Sequence, residues 1–246
     1  NIMTCGGPAF ANMVDSLAAI REVVFDRKEA ALAEVAAACA ADFEGHEDLR
    51  RRLLAAPKHG NDDASLDDII ELVEKMRDEP VKEICRDPRG GSFGNSHVVR
   101  SSAVRTGAVT PATPDGRLAG TPLASSVAAS SGMEKSGPTA VINSITRLSP
   151  ARSWQCGYNV NMRLQAGMLK EPEKRKKIAA LMDSYFSRGG QEMQINCVSS
   201  EELHKAQAHP EEYKDLVVRV AGFSEFFTRL SPDIQAELIG REEHSV

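Results

Sequence analysis

The chain has 246 residues, enough to bury a sizeable core in one or two domains. Hydrophobic residues make up 41% and charged residues 26%, the balance of a soluble globular protein. The net charge of −5 and the lack of a long basic run argue against a nucleic-acid partner. No apolar run reaches the roughly 18 residues that a membrane span needs.

The first part of the chain reads as helical. In "FANMVDSLAAIREVVF" (10–25), Met13, Leu17, Ile20 and Val24 recur at helical steps and predict one apolar stripe. "RKEAALAEVAAACAADF" (27–43) is alanine-rich and favours helix by propensity. "SLDDIIELVEKMRDEP" (65–80) places Ser65 as N-cap with Asp68 three residues on. Its stripe is Ile69, Val73 and Met76, and Pro80 is expected to stop the helix.

From about residue 86 to 160 glycine, serine, threonine and proline dominate. Val98, Val99, Val104, Val109, Leu118, Leu123 and Val127 recur within this region, so an ordered irregular segment with short strands is expected rather than a linker. "TPDGR" (113–117) carries turn chemistry, with Pro114 presetting φ before Asp115 and Gly116. "GPTAVINSITRL" (137–148) reads equally as a helix or a buried strand.

The last third is regular. "EPEKRKKIAALMDSYFSRGG" (171–190) is a helix with Pro172 in its first turn. Its stripe is Ile178, Leu181, Met182 and Tyr185, and Gly189–Gly190 ends it. "QEMQINCV" (191–198) alternates as a strand does, with Met193, Ile195 and Cys197 on one face and Gln194 and Asn196 on the other. Ser199 and Glu202 predict a capped helix ending before Pro210. "DLVVRVAG" (215–222) is a further strand, and "SPDIQAELIG" (231–240) a short helix.

The five cysteines, Cys5, Cys39, Cys85, Cys156 and Cys197, are scattered and form no CxxC pair, so neither a zinc site nor a disulfide framework is expected. A reducing cytoplasm is the simpler setting. The six histidines lack ligand spacing and are expected at the surface, and no metal site is expected. The sequence opens on Asn1 inside an apolar segment and reads as a piece of something longer. GxxxxGK(S/T), GxGxxG and HExxH are all absent, and "RGGSFG" (89–94) lacks the strand and helix that would make it a phosphate cradle.

"RVAGFS" (219–224) remains. Alone, its Gly222 reads as a bulge or tight turn. In context it is Arg219, Val220, Ala221, Gly222, Phe223 and Ser224, then Phe227, Leu230 and Gln235. This stretch resembles the RVxG(F/Y)Sxx(F/Y)xxL motif of glycyl radical enzymes, the pyruvate formate-lyase superfamily. "ANMVDSLAAI" (11–20), "TPDGRLAGTPLA" (113–124) and "GPTAVINS" (137–144) are similar to that family in the same order. The wording is nearer to the diol dehydratase and choline-lyase branch than to formate acetyltransferase.

Glycine suits such a site for a physical reason. A Cα radical is stabilised by the donating amide nitrogen and the withdrawing carbonyl when Cα is planar. A side chain would crowd that plane, and glycine has none. Val220, Phe223, Phe226 and Phe227 are expected to shield it.

The resemblance implies the second half of a ten-stranded α/β barrel wrapped in helices, with the radical loop near the C-terminus. Residues 1–188 would be the barrel portion and 189–246 the glycine radical domain. It implies a lyase or dehydratase acting on a small hydroxylated or aminated substrate. A decarboxylase, a C–C bond-forming synthase, a formate acetyltransferase and a spare-part radical carrier remain as alternatives.

No bound cofactor is implied. An activating enzyme using S-adenosylmethionine and an iron–sulfur cluster would remove a hydrogen from Gly222, and the radical would pass to a cysteine thiol. The family's Cys-x-Glu or paired cysteines do not occur here, so that cysteine is expected in an N-terminal half, on the same or a separate chain. Pro138, Thr139 and Ala140 are candidate pocket-lining residues. A homodimer of the full enzyme is implied, in the cytoplasm, with a bacterial microcompartment left open.

Overall fold

The computed structural model describes residues 2–6, 9–84, 89–97, 102–147 and 157–245, and their side chains except those of 2–5, 82, 84 and 92. Cys85, Cys156, Val98 and Val99 lie outside the described residues, as does the side chain of Cys5.

The chain opens with strand β1 (Ile2–Cys5) and helix α1 (Phe10–Ile20), which continues as a π-helical turn over Arg21–Asp26. The buried face of α1 is Phe10, Val14 and Ala18 on one side and Ala19 on the other, while Met13 is 38% exposed. The expected stripe is thus only partly buried. The helix is wedged between two cores, the main one taking Phe10, Val14 and Ala18 and the side one Ala19. Helices α2 (Leu32–Ala40) and α3 (Glu47–Ala55) close a side core of Val23, Val35, Phe43 and Leu53. Cys39 packs against that core, and residues 27–31 stay outside α2.

A 3₁₀ turn over Ala64–Leu66 leads into α4 (Asp67–Ile84). Its cap is Asp63, whose carboxylate accepts the Ser65 amide, so Ser65 is not the N-cap. Pro80 does not stop α4 but lies inside it. Met76, the residue whose carbonyl Pro80 cannot serve, is on the exposed side, where water can take it.

Of the irregular segment, Ser92–Asn95 is strand β2 and Ser102–Ala108 is helix α5. At Gly107 of α5 a Cβ would lie 2.3 Å from the Thr121 carbonyl oxygen, so only glycine lets this helix approach the following loop. The TPDGR turn forms, with the Gly116 amide donating to the Thr113 carbonyl at 3.0 Å.

Residues Pro138–Arg147 form helix α6, which settles the helix-or-strand question. Strand β3 (Asn159–Leu164) follows, then helix α7 (Pro172–Ser187), strand β4 (Glu192–Asn196), helix α8 (Ser200–Ala208), strands β5 (Val217–Arg219) and β6 (Ser224–Phe226), helix α9 (Pro232–Gly240) and strand β7 (Glu243–His244).

The structure is mixed α/β. Strand β3 pairs in parallel with β4 along one edge and with β7 at the end of the other. β1 and β2 form a second parallel pair, linked toward β3 by a bridge between His97 and Tyr158. The main core joins α1, α4, α6, β3 and α7 through Val14, Val73, Ile142, Ile145, Val160, Leu164 and Tyr185. Cys197 packs against it from the end of β4. Three histidines depart from the expected surface position: His59, His97 and His244 are all buried. Each has at least one polar partner, such as the Val127 carbonyl 2.9 Å from His59 Nε2 and the Glu134 carboxylate 2.8 Å from His244 Nε2.

Candidate functional site

Strands β5 and β6 pair antiparallel, with Arg219 opposite Ser224, so residues 220–223 are the tip of a hairpin. The Val220 amide donates to the Phe223 carbonyl at 2.9 Å and closes the turn. Gly222 sits in that tip at φ +84°, a left-handed conformation that side chains disfavour. Space is not what requires glycine here: the nearest atom to an added Cβ is Gln194 Nε2, 3.9 Å away.

The tip is held by polar side chains acting on its backbone. Gly222 N–H donates to Gln194 Oε1 at 3.1 Å. Asn196 makes a reciprocal pair with Arg219, accepting its amide at 2.8 Å and donating to its carbonyl at 2.8 Å. The Val220 carbonyl accepts from Asn161 Nδ2 and from Arg241 Nη2, each at 3.1 Å. Arg241 is itself oriented by the Glu237 carboxylate one helical turn before it.

Of the side chains that hold the tip, all but Arg241 come from the sheet. Asn161 lies on β3, and Gln194 and Asn196 on the same face of β4, opposite to Met193, Ile195 and Cys197. The face that alternation marks as polar is therefore a docking surface for the hairpin. Cys197 points to the main core instead, and burial raises its thiol pKa, as it does that of Cys39. Among the described side chains, neither cysteine is the depressed, activated thiol that redox chemistry favours.

Beneath the tip, Val220, Val218 and Phe227 are buried with Leu203 and Leu238 in a small C-terminal core. Gln235 on α9 donates to the Phe227 carbonyl at 2.9 Å and locks the hairpin's exit. The expected shield is only half present. Val220 and Phe227 are buried, and Phe226 is half-buried under the Arg229 guanidinium. Gly222 itself and Phe223, at 46%, are exposed, because the turn aims residue 223 away from this core. Pro138, Thr139 and Ala140 lie on the first turn of α6, with Pro138 and Ala140 buried and Thr139 exposed.

Among the described residues, one cluster could offer metal-ligating atoms, the exposed His209, Glu211 and Glu212. It lies in the turn after α8, and nothing buried orients it. No helix of the described residues is long and apolar enough to cross a membrane.

A family model for "Glycine radical" matches residues 123–228, which contain the hairpin, and one for "Pyruvate formate lyase-like" matches residues 1–107. The chain belongs to the glycyl radical enzyme family. It is 41% identical over 245 residues to "Probable dehydratase YbiW" of Escherichia coli (strain K12), covering 95% of this chain and 30% of the relative. Its fold matches the glycerol-bound B12-independent glycerol dehydratase of Clostridium butyricum with a TM-score of 0.95 and 35% identity, over 100% of this chain and 31% of that one. It also matches a glycyl radical enzyme from Archaeoglobus fulgidus with a TM-score of 0.92 and 34% identity, again over 100% of this chain and 31% of that structure. This glycyl radical enzyme chain thus spans under a third of the length of these relatives.

The sequence motif singles out Gly222 but not the side chains that hold its hairpin. Asn161, Gln194, Asn196 and Arg241 had no motif to announce them. A signal existed nevertheless: parallel strands are usually apolar on both faces, so asparagine and glutamine alternating along β3 and β4 needed a buried polar partner.

Proposed function

We propose that this chain is the radical-storing portion of a glycyl radical lyase of the dehydratase type, with the radical on Gly222. The observation that carries the reading is the Gly222 tip: a glycine at positive φ whose N–H is held by Gln194, on a hairpin whose preceding peptides are fixed by Asn196, Asn161 and Arg241. A residue that stores an unpaired electron on Cα needs this combination of no side chain and defined peptide planes. Arg219, Val220, Ala221, Phe223 and Ser224 form its surround.

The substrate class we assign is a small hydroxylated molecule. One solved relative is a glycerol dehydratase with glycerol bound. Chemically, hydrogen abstraction next to a hydroxyl sets up loss of water, and a carboxylate acting as base and acid moves the protons. The thiyl cysteine and that carboxylate belong to a segment beyond these residues, which would complete the ten-stranded barrel. The exposed Gly222 tip then faces that segment, which supplies the missing shield. Pro138 and Ala140 remain candidates for the pocket wall. The partners are an S-adenosylmethionine and iron–sulfur activating enzyme and, in the full enzyme, a second copy. The match over residues 1–107 reaches well beyond the radical region, which favours a catalytic subunit over a spare-part carrier.

Anaerobic activation followed by electron paramagnetic resonance tests the reading. A glycyl doublet in the wild type that is lost in Gly222→Ala is expected. No doublet with a competent activating enzyme, or the same doublet in Gly222→Ala, overturns it.

A further inference from the structure

The hydrogen bond from Gly222 N–H reaches a side chain whose orientation is fixed from both ends. Gln194 is buried, 5% exposed. Its Oε1 accepts Gly222 N–H at 3.1 Å and Arg219 Nε–H at 3.3 Å, and its Nε2 donates to the Glu192 carboxylate at 2.9 Å. The donors and the carboxylate leave one assignment of the amide: oxygen toward Gly222, nitrogen toward Glu192.

We propose that Gln194 is a positioning residue for the Gly222 radical, acting through the acceptor it presents to the Gly222 amide. The inference rests on Gly222 being the radical site. Two physical effects follow from the contact. An acceptor on an amide N–H polarises the peptide and raises the electron donation of its nitrogen, which is the donor half of the stabilisation of a Cα radical. The acceptor also pins the plane of the 221–222 peptide, and the preceding 220–221 peptide is held through the Val220 carbonyl by Asn161 and Arg241.

The second effect matters because the resting geometry is not the radical geometry. Overlap between the nitrogen and the radical orbital is greatest when φ is near 180° or 0°, and Gly222 rests at +84°. Loss of the hydrogen atom, proton and electron together, to the radical oxidant of the activating enzyme leaves no charge on the loop but demands a flatter Cα. With the 221–222 peptide pinned, the rotation falls on the carbonyl side, toward the exposed Phe223. Only glycine passes freely from +84° through the positive-φ region to the extended one.

The test compares Gln194→Met, Gln194→Glu and Asn196→Ala with wild type, each in the protein completed by the segment proposed above and activated anaerobically. The readouts are spin yield and the hyperfine couplings of the amide ¹⁵N and its exchangeable proton. Removing the acceptor in Gln194→Met is expected to lower radical occupancy by roughly three- to tenfold, the worth of one hydrogen bond, and to change both couplings. Gln194→Glu keeps an acceptor oxygen and should restore the couplings. Asn196→Ala loosens the same hairpin without touching the Gly222 amide, and its couplings should match wild type.

Wild-type couplings in a Gln194→Met doublet overturn the inference and leave the radical assignment standing. Altered couplings in Asn196→Ala equal to those in Gln194→Met also overturn it, since general loosening then accounts for both. If Gln194→Met yields no doublet, recovery in Gln194→Glu supports the role and its absence there overturns it. A wild type without a doublet overturns the radical assignment itself.

Discussion

Gln194 Oε1 lies 3.1 Å from the Gly222 nitrogen, so a strand side chain grips the backbone of the hairpin tip. The site is accordingly built more from polar clamps than from an apolar shell. Its response to mutation should separate backbone conformation, clamping and chemistry.

At Gly222 the conformational and chemical roles can be parted. An added Cβ meets nothing closer than 3.9 Å, while φ is +84°. Gly222→Ala should therefore cost only about 1–2 kcal/mol, the left-handed penalty. Gly222→Asn should cost less, because asparagine tolerates that region. Urea unfolding should show both variants folded, and both should lack a glycyl doublet.

Asn196 holds Arg219 by two hydrogen bonds of 2.8 Å. Asn196→Ala removes both and leaves part-buried backbone groups unpaired, at roughly 1–3 kcal/mol. The loss should be local. Hydrogen exchange should speed up at the Arg219 amide and its hairpin neighbours, with little change in β3.

Gly107 is a packing glycine. Its Cβ would lie 2.3 Å from the Thr121 carbonyl and 2.8 Å from Pro122 Cα, both backbone atoms that cannot swing away. Gly107→Ala should destabilise by about 1–3 kcal/mol or more. A thermal melt should show it, while the glycyl doublet keeps its line shape.

Asp15 gives a pH signature. It is fully buried, with Oδ1 accepting the His59 amide at 2.7 Å and Oδ2 buried without a hydrogen-bond partner. Burial pushes its carboxyl up to about 8 from an ordinary 3.8, opposed by the His59 amide and by Lys58. A raised carboxyl means that the native state binds the proton more tightly than the unfolded chain. Its stabilising share is full below pH 4 and is lost as pH rises to about 8. Burial lowers the His59 pKa, which acts oppositely on the acid side. The difference between wild type and Asp15→Asn isolates the carboxyl: stability relative to the variant should fall between pH 5 and 8 in denaturant titrations.

The sequence was readable where pattern and packing agree. Helix α7 buries Ile178, Leu181 and Tyr185 as its period predicts, and β4 alternates as written. It misled where neighbours decide. Wedging between two cores moved the buried face of α1 from Met13 to Val14, and Pro80 was absorbed on an exposed flank. Helix α5 was hidden because serine, threonine and glycine carry little apolar period, and its register is set by the close approach at Gly107. Gly222 was legible through its motif. Its clamps come from strands about 25 and 60 residues away, a distance at which local pattern carries no information.

The central claim is that Gly222 carries the radical, and oxygen maps it most directly. Fully activated protein exposed to air should break its backbone at Gly222, and mass spectrometry should find the two pieces meeting at that residue. An intact chain, or a break at another residue, contradicts the assignment.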